Sequence, residues 1–265
     1  MNPNIILLDL DGTIIGDVLP YICEWEVLRH FDRVKLKFFK QNLKNALESG
    51  LLRKGFSDFM SVAHKNDIQV FLYTASDREW TNVIIPIIES IIHFKFNRPL
   101  FTRNHCIFKD NDMIKSIDKV AQTIQTSLKS KYNLNKKMIL ENTILIDNNK
   151  VLTSEEKHRL YLVPTYKYTN QYDVLKHLDD GILKSNYIEI CRIIQRHNRS
   201  NISFIDQRSR MSFTEFLSSY YINLGHRLGK QRQERQDDTL FYDLIVPMME
   251  NKGFTNKFVK YLNRQ

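Results

Sequence analysis

Ile5-Ile6-Leu7-Leu8-Asp9-Leu10-Asp11-Gly12-Thr13-Ile14 runs four apolar residues straight into two carboxylates one residue apart, then a glycine. An unbroken apolar run of this kind reads as a strand buried on both faces, as in a parallel sheet. Alternate side chains of a strand point the same way, so Asp9 and Asp11 leave the strand end on one side. Gly12 lets the backbone turn sharply after them. Carboxylates this close repel, and a hard cation with oxygen ligands suits them best. In open α/β sheets the ligand site lies just past the carboxyl ends of the strands. Taken alone, the same letters also spell a strand followed by a solvated Asp-Gly turn. The rest of the chain decides between the two.

Two further stretches repeat the pattern. Ile68-Gln69-Val70-Phe71-Leu72-Tyr73 predicts a second strand, which ends at Thr74-Ala75-Ser76 before a helix beginning near Asp77. Ser76 or Asp77 suits the N-cap, and a helix N-terminus offers free N–H groups to an anion. Thr74 and the amides after it could hold a phosphate there; an ordinary cap with no ligand would look the same. Thr143-Ile144-Leu145-Ile146 predicts a third buried strand, tipped by Asp147-Asn148-Asn149. Right-handed crossovers would bring all three tips to one edge of a parallel sheet. Tyr161-Leu162-Val163-Pro164 suggests a fourth strand.

Between these strands the apolar period is helical. Leu28, Phe31, Leu36, Phe39, Leu43 and Leu47 recur at three- and four-residue steps, predicting a helical insertion over 17–49 just above the Asp pair. Gly50 and Gly55 punctuate it, and Phe56 to His64 predicts a short helix. Val83 to Ile92 is an apolar helix face with Pro86 near a bend. Arg98 to Phe108 opens a small β-rich insertion, with turn chemistry at Lys109 to Asp112. Lys115 then precedes a helical pattern at Ile117, Val120, Ile124 and Leu128. Asn133 to Lys137 is a polar connector, and Tyr172 to Leu178 predicts a closing helix. Beyond Gly181 the pattern gives helices at 182–194, 211–221 and 241–249, with a polar link over 230–238.

The chain has 265 residues and a net charge of +9. Residues 181–265 hold 14 Lys and Arg against 8 Asp and Glu, so most of the excess lies there. Such a segment suits nucleic acid, an acidic protein or a phosphorylated partner, or is a solvated helical face. The three cysteines are far apart, without disulfide or zinc spacing. Cys106 reads as a packed strand residue. With no signal peptide and no apolar run of membrane-spanning length, the expectation is an intracellular protein, cytoplasmic or nuclear, with no membrane partner. The histidines are scattered and take no role.

Asp9-Leu10-Asp11-Gly12-Thr13, Thr74 after a strand, the downstream Lys115 and Asp147-Asn148-Asn149 resemble the four motifs of haloacid dehalogenase-like phosphatases. A narrower resemblance is present. Tyr73-Thr74-Ala75-Ser76, the LFTRNHCIF of Leu100–Phe108, Lys115 nine residues after Cys106, and the ILIDNN of Ile144–Asn149 are similar to the phosphatases acting on the C-terminal domain of RNA polymerase II. Arg53-Lys54-Gly55 before Phe59 resembles their "RPG…FL" segment, and Val163-Pro164 their late "VP". Gly12 replaces that family's usual Glu, Ser116 its Asp after the Lys, and the Lys115-to-Asp147 segment is longer. The likeness covers about residues 5–180.

The resemblance implies a Rossmann-like α/β domain over 1–180, with helices on both sheet faces and the helical insertion at 17–49, followed by a basic helical extension at 181–265. It implies a Mg²⁺-dependent phosphatase. Asp9 would be the nucleophile and Asp11 the general acid and base. Asp9, the Asp11 carbonyl and Asp147 would hold Mg²⁺, with Asn148 orienting that shell. Thr74, the Ala75 amide and Lys115 would hold the phosphoryl oxygens. The expected substrate is phosphoserine or phosphothreonine in a protein. A nucleotide or polynucleotide phosphatase, favoured by the basic tail, and a non-catalytic binding protein on this scaffold are the alternatives.

Overall fold

Strand β1 (Ile5–Leu8) is buried at every residue. It pairs in parallel with β2 (Gln69–Tyr73) on one side and β6 (Thr143–Asp147) on the other, so that Leu8 stands opposite both Leu72 and Ile146. The three apolar runs of the sequence are therefore the three central strands, and their polar tips share one edge. β3 (Asn97–Phe101) adds to β2 and β7 (Leu160–Leu162) to β6, giving a five-stranded parallel sheet in the order β3-β2-β1-β6-β7. The computed structural model describes residues 3–109, 112–168, 173, 175–197, 212–215, 217–218 and 238–250.

Burial on both faces explains why these strands lack alternation. Ile5 and Leu7 face a cluster that includes Phe71, Leu145, Val120 and Ile124 of α5 (Ile117–Leu128), and Ile139 of α6 (Lys136–Glu141). Ile6 and Leu8 point to the other face and are equally buried. Each such side chain contributes about 1.5–3 kcal/mol relative to exposure. Helix α3 (Phe56–Lys65) lies against β2, and α4 (Arg78–Ile92) carries Pro86 within it without ending there.

Two details refine the sequence reading. Asn97–Phe101 is an edge strand of the main sheet, so the β-rich insertion shrinks to a hairpin of β4 (Ile107–Lys109) and β5 (Asp112–Ile114). The polar connector after Asn133 runs into the short helix α6, too brief to show a period.

By contact the chain forms two compact units. One comprises Met1–Gly16, Leu52–Tyr166 and Asp238–Gln265, the other Asp17–Leu51 and Lys167–Asp237. Each unit is built from segments that are separate in the sequence. Within the second unit, the insertion forms α1 (Leu19–Phe31) and α2 (Leu36–Ala46), and α7 (Asp180–His197) lies along α1 with Ile190 and Ile193 buried. Where a closing helix was expected, only a single 3-10 turn, Leu175–His177, falls among the described residues. Within the first unit, α8 (Leu240–Glu250) packs on α3, with the Phe241 ring 5.0 and 5.1 Å from those of Phe56 and Phe59. Met211, Phe216 and 219–221, the link at 230–237, Arg199, Arg208 and Arg210 lie outside the described residues.

Candidate active site

The tip of β1 is shaped by its glycine. Gly12 has φ +78, and a Cβ there would stand 2.8 Å from Asn148 Nδ2, so both the turn and the close approach require glycine. The turn leaves Asp9 buried under the loop and Asp11 partly exposed. Thr13 ties the loop to the β6 tip. Its Oγ1 lies 3.3 Å from Asp9 Oδ2 and 3.2 Å from Asn148 Oδ1, within donating reach of each, and accepts from Asn148 N at 3.1 Å.

Lys115 enters between β1 and β6. Its Nζ donates to Asp9 Oδ1 at 2.6 Å and to Asp147 Oδ2 at 2.7 Å. Two features of the local chain hold it there. Lys115 N donates to Val151 O at 2.7 Å, and Ser116 caps α5 by accepting from Lys119 N. Glu156 adds to that cap, accepting from Ile117 N and Asp118 N. The Tyr73 ring lies 5.6 Å from the ammonium, and its hydroxyl accepts from Ser116 N and donates to His105 O. Burial pushes the Tyr73 phenol up, so it stays neutral.

The electrostatics of the cluster are unbalanced. Burial would lower the Lys115 pKa, but the charges of Asp9 and Asp147 outweigh it and raise it, so the ammonium stays charged. Burial and then the Asp9 charge push Asp147 up to about 6, against the pull of Lys115. One ammonium does not offset two buried carboxylates. That excess of negative charge on hard oxygen atoms fits a divalent cation such as Mg²⁺. Among the described residues no group of three or more His, Cys, Asp or Glu gathers as a metal cluster. The two carboxylates would therefore need main-chain and water oxygens to complete a shell, as Mg²⁺ accepts.

The β2 tip adds a third element. Thr74 is buried and its hydroxyl accepts from Ser76 N at 3.1 Å. Ser76 Oγ donates to Asp11 Oδ2 at 2.5 Å. Asp77 is the N-cap of α4, accepting from Trp80 N at 2.8 Å, which resolves the choice between Ser76 and Asp77. Ala75 O accepts from Arg103 Nε at 2.9 Å. Cys106 is buried, with its thiol raised by burial, as a packed residue would be.

Asp9, Lys115 and Asp147 are thus brought into direct contact, and Asp11 is linked to the Thr74–Ser76 turn. Asn148 sits on Thr13 and on Thr165, to which its Nδ2 donates at 3.1 Å; the amide that reaches Asp147 is Asn149 N, at 2.7 Å. Sequence reasoning gave no role to Thr13, or to Ser76 beyond a cap. The first could have been suspected from its place directly after Gly12, where a hydroxyl can serve its own turn.

No curated protein matches this chain. Among solved structures, the chain aligns with the fission yeast RNA polymerase II CTD phosphatase Fcp1, in a variant bound to beryllium fluoride, at 12% identity and a TM-score of 0.43, over 94% of this chain and 62% of that one. A second Fcp1 structure, an essential RNA polymerase II CTD phosphatase, aligns at 13% identity and a TM-score of 0.37, over 94% and 71%. The chain thus spans less than two thirds of the first of these. A family model, the NLI interacting factor-like phosphatases, matches residues 4–207, which hold every strand among the described residues and the whole Asp9–Lys115–Asp147 cluster. The chain belongs to the NLI interacting factor-like phosphatase family.

Proposed function

We propose that this chain is a Mg²⁺-dependent phosphatase that works through a phosphoryl group carried on Asp9. The observation that carries this reading is the buried Asp9–Lys115–Asp147 cluster at adjoining strand tips, beside an Asp11 held by Ser76. A purely structural core would gain little from it, because burying charges costs more than most pairs return.

In the first step an Asp9 oxygen attacks phosphorus as the bond to the leaving oxygen breaks, and Asp11 gives that oxygen its proton. Lys115 and Thr13 fix the Asp9 carboxylate from both oxygens, so it needs little ordering before attack. In the second step Asp11 takes a proton from water as the water attacks phosphorus and Asp9 leaves. Thr74, the Ala75 amide and Lys115 hold the phosphoryl oxygens through both steps. Asp9, the Asp11 carbonyl and Asp147 would hold Mg²⁺, which supplies charge stabilisation at the phosphoryl oxygens.

Phosphoserine or phosphothreonine in a protein is the proposed substrate, supported by membership of a phosphatase family and by the resemblance of Tyr73–Ser76, Leu100–Phe108 and Ile144–Asn149 to polymerase C-terminal-domain phosphatases. Turnover on a panel of phosphopeptides, nucleotides and end-phosphorylated oligonucleotides tests it. Phosphopeptides should lead, EDTA should stop the reaction and Mg²⁺ should restore it. Preference for oligonucleotides would move the assignment to a polynucleotide phosphatase, the reading that the basic residues after 181 favour. Metal-independent turnover would remove the Asp9–Asp147 metal site.

A further inference from the structure

We infer that Asp238, at the start of α8, is a positioning residue for the Asp9–Thr13 loop and acts through Arg53. Arg53 is buried, yet its guanidinium serves three strands of chain. Nε donates to Asp238 Oδ2 at 2.7 Å, and Nη1 donates to Thr13 O at 3.2 Å and to Pro164 O at 3.1 Å. Its plane lies over Tyr166, 5.2 Å from the ring centre. Its own N donates to Ile14 O, and Tyr166 N donates to Gly12 O. One cation thus pins the turn that carries the nucleophile to the chain leaving β7.

A buried guanidinium holds its place only if its charge is met. The carboxylate that meets it lies beyond the family match, which ends at 207, and returns to the sheet unit with α8. Asp238 is held from two sides. Its Oδ1 accepts from Leu240 N at 3.2 Å, capping α8. The helix behind it is seated by Phe241 between Phe56 and Phe59, and by Tyr242 against Gly55, where a Cβ would come within 3.1 Å of the ring. Gly55 also has φ +76, so the turn after Arg53 is built to receive that ring. Without the Asp238 charge the guanidinium would be drawn toward water and away from Thr13 O. Thr13 in turn supports Asp9. A shift of about 1 Å at a reacting group can cost about a hundredfold in rate.

The catalytic part of the test rests on the proposed phosphatase reading; the loop part does not. In the full chain, Asp238→Asn should lower kcat on a small aryl phosphate by about tenfold to a hundredfold, with KM within about twofold. Amide hydrogen exchange at Gly12–Ile15 should quicken in the same protein, and Asp238→Glu should recover part of both. A stabilising role alone would lower the melting temperature at unchanged kcat, and that result overturns the inference, as does unchanged exchange over Gly12–Ile15. If Asp238→Asn does not fold, Asp238→Glu carries the test, since it keeps the charge but displaces it. Intermediate kcat and exchange support the inference, and wild-type values of both refute it. A wild-type protein with no phosphatase turnover would fail the functional reading, while the exchange data still decide this one.

Discussion

Two lysine–aspartate contacts at opposite ends of the same sheet make an instructive pair. At the carboxyl edge, Lys115 bridges Asp9 and Asp147, and all three side chains are at most 7% exposed. At the amino edge, Lys131 reaches Asp67 just ahead of β2, with both side chains more than half exposed. Each contact joins an ammonium to carboxylate oxygen, but their surroundings differ. Asp67 also accepts from Tyr132 and Gln69, so its charge is met several times over and water screens the rest. The buried trio has one cation for two anions and no such screening. Proximity of opposite charges therefore says little; burial with an imbalance marks the chemistry.

Substitution should widen this contrast. The largest effect is expected at Asp9. Asp9→Asn should take turnover below detection while circular dichroism and melting stay near wild type, because the amide keeps the shape and removes the proposed nucleophile. Wild-type-like turnover in a pure preparation would remove Asp9 from that role. Asp11→Asn should follow, with kcat lower by about 10²–10⁴-fold through lost acid–base work. Lys115→Met comes next in kind: it leaves two buried carboxylates without their cation and should cost about 3–5 kcal/mol in chemical denaturation, besides the activity. The smallest effect is expected at the other pair. Lys131→Ala should cost no more than about 1 kcal/mol and leave kcat unchanged. Despite its partial burial, Asp67 is held below its usual range by hydrogen bonds from Lys131 and Tyr132. Its small stabilising contribution is therefore present above the ordinary aspartate range and lost as pH falls through its lowered pKa. Equal costs for Lys115→Met and Lys131→Ala would dissolve the comparison.

The sequence displayed the central sheet because parallel strands are buried on both faces, and apolar runs such as Ile5–Leu8 and Thr143–Ile146 have few other uses. It displayed Asp9, Thr74 and Asp147 because a polar residue at the end of such a run has nowhere to go but the sheet edge, whereas Lys115 stood out only through the family resemblance. Edge strand β3 was harder to place. Asn97 to Phe101 is half exposed and contains Pro99, so it reads as irregular β structure. Arg53 lies in the stretch that resembles the family's "RPG" segment, but its pairing with Asp238 gave no local signal: the two are 185 residues apart, and a buried ion pair has no period. The tail showed only its charge and its apolar spacing. The structure puts Phe241 and Met248 in the core, so within the described residues the apolar spacing was packing, as helical spacing usually is. Ser76 and Thr13 act through side-chain hydrogen bonds that composition cannot show.

The central claim is that Asp9 carries the phosphoryl group. Acid quench of the enzyme during turnover of a phosphopeptide with Mg²⁺, followed by peptide mass spectrometry, tests it most directly. The account predicts a phosphoryl adduct on the peptide containing Asp9, enriched in Asp11→Asn and absent from Asp9→Asn. Steady turnover with no adduct at Asp9 in either wild type or Asp11→Asn, or an adduct on another residue, would contradict it.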